Sequence, residues 1–142
     1  MMRNAKGFTL IELVAVIVIL GILSVTAVPM FLDLRGAARD ASAAGIGGAI
    51  ASGTSLNYAR GVAQGGASTV TDCAAGEIAP LISGMTAPAG NVLNYQGLDY
   101  VLGGPAGALT TSGTGKECTL QHPQGTQAQS FTLIGCMNAT CG

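Results

Sequence analysis

One acidic residue stands where an acid is expensive. Glu12 lies at the head of an apolar run, and residues 13–32 carry no charge at all. An ionisable group placed against hydrocarbon is a functional hypothesis by default and needs a partner of opposite charge. No base follows Glu12 before Arg35, so the candidates lie on its N-terminal side: Lys6, or an amine created by cutting the chain just after Gly7. The cysteines form a second reactive group: Cys73, Cys118, Cys136 and Cys141. An even number in an exported segment reads as a disulfide framework. Zinc fits them poorly, because no C-x2-C pair occurs and the one histidine, His122, precedes Pro123. The chain has neither a G-x-S-x-G elbow nor a phosphate-binding loop, and a lone histidine beside proline makes a poor general base. No enzyme, cofactor or metal site is expected.

The element that must position Glu12 is a helix. About 20 apolar residues at roughly 1.5 Å each cross the hydrocarbon core of a bilayer. Arg3 and Lys6 precede the run, so the positive-inside bias keeps that end cytoplasmic and sends the remainder out. A secretory signal would place a small-residue cleavage site after the apolar core. Here the candidate cut precedes it, and the apolar segment stays in the product.

The stretch K-G-F-T-L-I-E-L-V, with Lys6, Gly7, Phe8, Thr9, Leu10, Glu12 and Leu13, resembles the signature of type IV prepilins. That resemblance implies cleavage between Gly7 and Phe8 and N-methylation of Phe8, both by an inner-membrane prepilin peptidase. It also implies an α+β fold, the type IV pilin fold, with a long N-terminal helix packed on a small antiparallel sheet. Its further implications are an inner-membrane assembly platform as partner and a homopolymer as product. The subunit would be a single-pass inner-membrane protein first and part of an extracellular pilus afterwards. In such filaments the segment between a similarly placed glycine and proline can lose helicity, which carries over to Gly21 and Pro29. The new Phe8 amine is cationic, so Glu12 of an incoming subunit can pair with it on a neighbour. Opposite charges about 4 Å apart attract far more strongly in a poorly solvated setting than in water.

The sequence divides into a leader (1–7), a hydrophobic helix (8–32), an amphipathic continuation (33–60) and a globular head (61–142). The chain has 142 residues, 9% of them charged and 49% hydrophobic. Loss of the leader leaves four basic against seven acidic side chains, too few bases for a nucleic-acid footprint. In the continuation, Ala38, Ala41, Gly45, Ala49, Ser52, Leu56 and Ala59 recur in steps of three and four along one face. Gly45, Gly47, Gly48 and Gly53 cost about 1 kcal/mol each relative to Ala in an exposed helix, so packing on the sheet or on neighbouring helices must offset them. Asp33, Arg35, Arg39 and Asp40 could pair between subunits or form a solvated collar.

In the head, 61–68 reads as a loop, and Thr71 or Asp72 as the cap of a short helix over 73–83 with Pro80 inside it. Residues 86–90 read as a loop, and strands are expected at 92–96, 98–102, 117–122 and 130–135. The last two form a hairpin. Four cysteines allow three pairings; the hairpin favours Cys118–Cys136, leaving Cys73–Cys141. Residues 29–42 and the ending around Cys118 and Cys136 resemble the mannose-sensitive haemagglutinin (MSHA) subgroup of pilins, although Cys73 and Cys141 depart from its two-cysteine pattern. Together these features predict a major structural subunit of a type IV pilus for surface attachment or motility. The competing readings are a type II secretion pseudopilin in a short periplasmic filament, and a minor pilin or adhesin. Phe8, Phe31, Tyr58, Tyr95, Tyr100 and Phe131 are too sparse for an electron-conducting fibre.

Overall fold

The computed structural model describes residues 7–105 and 107–142. The leader residues Arg3 and Lys6 lie outside them. The chain divides into two units, Met1–Arg35 and Gly36–Gly142, and helix α1 (Leu10–Gln64) contributes to both.

The N-terminal unit is helix alone from Leu10 onward. Among the described residues its large apolar side chains are exposed: Leu13 is 61% and Phe31 64% exposed. The helix is long and apolar enough to cross a membrane. It is continuous through Gly21 and Pro29. Proline removes one backbone donor and crowds the carbonyl one turn earlier. Ser24 Oγ donates to the Leu20 carbonyl (2.7 Å) and Thr26 Oγ1 to the Leu23 carbonyl (3.0 Å), so both hydroxyls are satisfied without water.

The second unit places the rest of α1 against a five-stranded antiparallel sheet. The strands are β1 (Met85–Thr86), β2 (Val92–Tyr95), β3 (Leu98–Gly103), β4 (Gly115–Gln121) and β5 (Gln129–Ile134). They follow one another in the order β1-β2-β3-β4-β5, each bonded to its sequence neighbour. Period-two alternation turns Tyr100 and Leu102, Cys118 and Leu120, and Phe131 and Leu133 inward. The helix meets them with Ala43, Gly47, Ile50, Thr54, Asn57 and Gly61. Gly47 is the close approach: a Cβ there would lie 3.2–3.4 Å from Phe131. Thr54 Oγ1 accepts the Ile134 amide (3.1 Å), capping a donor on the edge strand β5.

The strand expectations hold to within two residues at each end, and the structure adds the short strand β1, where 86–90 reads as loop. The helix runs four residues past Arg60. Between it and the sheet lie a single turn, α2 (Ala75–Ile78), and a 3-10 turn, Ala79–Leu81, in which Pro80 sits comfortably at the start. Neither Thr71 nor Asp72 caps α2; its N-cap is Ala74. The Glu77 carboxylate reaches back instead, accepting the Thr71 amide (2.6 Å) and the Asp72 amide (3.1 Å).

The small-residue stripe falls on the other side of α1. Ala38, Ala41, Gly45, Ala49, Ser52, Leu56 and Ala59 are all exposed. Two stripes with the same spacing run along this helix, and the buried one includes the polar residues Thr54 and Asn57. Their partners sit in distant segments: Asn57 exchanges two hydrogen bonds with the Ser68 backbone (2.7 and 2.9 Å).

Candidate functional site

Glu12 is part of the helix start. Thr9 is the residue before α1, and its amide and hydroxyl both donate to Glu12 Oε2 at 2.9 Å. The Glu12 amide donates weakly to Thr9 Oγ1 at 3.4 Å. This is a capping box, in which a hydroxyl residue and the acid three positions later satisfy each other's orphan donors. The T-x-x-E spacing was there to be read in the sequence as a helix signal. The acid also meets the positive end of the helix dipole. Phe8, 89% exposed, precedes the helix and shares an apolar recess with Glu12, Leu13, Ala15 and Val16. Gly7 is likewise exposed and outside any regular element. Among the described residues no base faces Glu12. The arrangement therefore places a carboxylate, bonded to Thr9, four residues past Phe8 on an exposed apolar stretch of helix. Lys6, the other candidate partner, lies outside the described residues.

The cysteines are all bonded, but not as the hairpin suggests. Cys73 pairs with Cys118 and Cys136 with Cys141, in place of Cys118–Cys136 and Cys73–Cys141. The reason is register. Cys118 lies opposite Phe131 in the β4–β5 ladder. Cys136 is five residues further on, roughly 17 Å along a strand. Cys118 faces inward and meets Cys73 in the segment before α2, where Gly104 leaves room for the Cys73 sulfur. Cys136 and Cys141 close a short ring over the end of α1, where Gly61 makes room for Cys141.

Two members of the charged collar, Arg39 and Asp40, are used within the chain, whereas Asp33 and Arg35 are exposed. Asp40 accepts the Thr126 hydroxyl (2.5 Å), the Thr126 amide (2.9 Å) and the Gln127 amide (3.3 Å), and Arg39 donates to the Gln124 carbonyl (3.2 Å). These bonds clasp the β4–β5 loop to the helix. They hold the Asp40 carboxyl below its ordinary range, chiefly through the Thr126 hydroxyl. Gly125 permits the approach, since a Cβ there would lie 2.6 Å from Asp40 Oδ1. His122 is a core residue: it packs edge-on against Tyr100 at 5.3 Å, and its Nδ1 accepts the Gln124 amide. Lys116, 7% exposed, pairs with Asp72 at 2.5 Å and also donates to the Gly107 carbonyl. That pairing lowers the Asp72 carboxyl below its usual range. Among the described residues no cluster of His, Cys, Asp and Glu could hold a metal.

Residues 2–28 match a family described as the prokaryotic N-terminal methylation motif. The chain is also similar to the type IV narrow pilus major component PilA5 of Thermus thermophilus, with 56% identity over 55 residues. That match covers 36% of this chain and 47% of the relative, so the chain spans about half the length of the curated protein it matches. No solved structure matches.

Proposed function

We propose that this chain is a structural subunit of a type IV pilus, cut between Gly7 and Phe8, methylated at Phe8 and polymerised through its apolar helix. The observation that carries the reading is the carboxylate of Glu12, bonded to Thr9 at the head of a helix whose apolar N-terminal part is unburied among the described residues. The methylation-motif match over residues 2–28 and the likeness to a pilus major component support it. The chain's chemistry is then done to it by a prepilin peptidase and an assembly platform in the inner membrane.

Cleavage frees a cationic amine on Phe8. Glu12 of an incoming subunit pairs with that amine on a neighbour, relieving the desolvation of both groups and fixing register. The apolar helices replace lipid as each other's solvent, and extraction never exposes them to water. Residues 21–29 extend in the filament, where Pro29 already lacks one helix bond. The finer placement in the mannose-sensitive haemagglutinin subgroup rests on residues 29–42, and the Cys73–Cys118 pairing weakens its C-terminal part.

Intact mass and N-terminal sequencing of sheared fibres test the reading: the subunit should begin at a methylated Phe8. Fibres of uncut subunits beginning at Met1 would overturn it. Fibres confined to the periplasm would favour the secretion pseudopilin instead.

A further inference from the structure

His122 is the one histidine of the chain, and neither the disulfides nor the helix-head chemistry uses it. It follows Gln121, the last residue of β4, and opens the loop to β5. The residue is 7% exposed, and its ring stands edge-on to Tyr100, whose hydroxyl lies 3.2 Å from Ser42 Oγ on α1. A backbone N–H can only donate, so the 3.0 Å bond from the Gln124 amide fixes Nδ1 as the acceptor. The neutral ring then carries its proton on Nε2. An imidazolium has an N–H at both positions and can accept at neither. Imidazole is the side chain whose unperturbed chemistry puts that change of state between pH 5 and 8.

The groups around the ring make the change consequential. From α1, Asp40 holds the loop through three bonds, accepting the Thr126 hydroxyl and the Thr126 and Gln127 amides. Arg39, also on α1, donates to the Gln124 carbonyl at 3.2 Å. From β3 the titratable group facing the ring is Tyr100. A proton on Nδ1 removes the acceptor of the Gln124 amide. It leaves Gln124 between two cations, the imidazolium at its amide and Arg39 at its carbonyl. It also brings a positive charge to act on Asp40, in competition with the three loop donors. The turn inside the loop, from the Gly125 amide to the His122 carbonyl (2.9 Å), does not use the ring. The loop can therefore come away without unravelling.

We infer that His122 is a proton-operated latch on the β4–β5 loop. Neutral, it holds the loop in place through the Gln124 amide; protonated, it releases Gln124 and loosens the Asp40 clasp. The bond is present while the ring is neutral and disappears as falling pH protonates it. The released segment includes Thr126, whose methyl lies beside Gly36 at the start of the head. The latch does not depend on the filament reading.

The test is residue-resolved hydrogen exchange on the full-length chain in detergent, corrected for the intrinsic effect of pH and kept above pH 5, clear of the ordinary carboxylate range. Between pH 7.5 and 5.5 the protection of the Gln124 and Thr126 amides should fall about tenfold, while the β4–β5 ladder amides of Cys118 and Leu120 hold theirs. His122→Asn supplies the control, because an asparagine oxygen accepts the amide two residues on and does not titrate. Its loop should stay protected at both pH values. Unchanged protection in the parent would overturn the latch, as would the same fall in His122→Asn. If that variant does not fold, the His122 ring-carbon shifts of the parent take its place, and the Gln124 amide shift should follow them with one midpoint. A ring that protonates without moving the Gln124 amide, or stays neutral down to pH 5, would overturn the latch.

Discussion

The N-terminal unit and the head solve opposite problems with one helix. Up to Arg35 the helix buries nothing of its own, and every large apolar side chain on it is exposed. From Gly36 onward the same element is a wall of a closed core, with Ala43 and Ile50 fully buried. The head is stabilised within its chain by burial, two disulfides and polar clasps. Among the described residues the N-terminal unit has no such burial, and the proposed function supplies it from outside, by lipid or other copies. Changes in the N-terminal unit should therefore leave the head's stability untouched.

Glu12→Val gives the largest and most one-sided effect. Fibre yield should fall to background while the head's melting temperature in detergent stays that of the parent; cleaved subunits assembling normally would remove the pairing role. Loss of the Cys73–Cys118 bridge, as Cys73→Ser with Cys118→Ser, should act on the head, lowering its stability by about 2–5 kcal/mol in denaturant titrations. Gly61→Ala forces a methyl into the Cys141 sulfur and should cost about 1–3 kcal/mol by the same measurement.

A smaller effect follows from Asp40. Its carboxyl is depressed in the folded head, chiefly by the Thr126 hydroxyl, so its contribution is complete above the ordinary carboxylate pKa of about 4 and is lost as pH falls through the folded value. Melting temperature should drop with acid below that point, and Asp40→Asn should flatten the drop. The smallest change expected is from Gly45→Ala. Nothing lies within 4 Å of a Cβ there, so the substitution should raise head stability by up to about 1 kcal/mol. A loss of fibres from this stabilised variant would show that the exposed face is packed in the filament.

What could be read from the residues was local. The leader signature, the charge-free run and four of the five strands are patterns within a few consecutive positions, and the structure places those strands where alternation does. The T-x-x-E capping box was equally local and shows how a strong functional motif can mask a plain structural one. What was wrong or left open lay wherever two distant segments had to be matched. The Cys118 partner depends on a β4–β5 register that turn length alone does not set. The choice between two equally spaced stripes on α1 depends on Phe131 and Ser68, which a helical wheel does not contain. Asp40 finds its partners 86 positions away, in a loop that spacing rules cannot reach.

The bridges join cysteines consecutive along the chain, Cys73 with Cys118 and then Cys136 with Cys141, and neither loop encloses the other. If the head is exported behind an anchored N-terminus, as the proposed function has it, these thiols arrive outside in that same succession. An oxidant that simply links whichever two have arrived makes the native set, with no shuffling afterwards. Each sheet pairing is likewise to the strand just delivered. In an exported chain the order of arrival then does work that would otherwise fall to an isomerase.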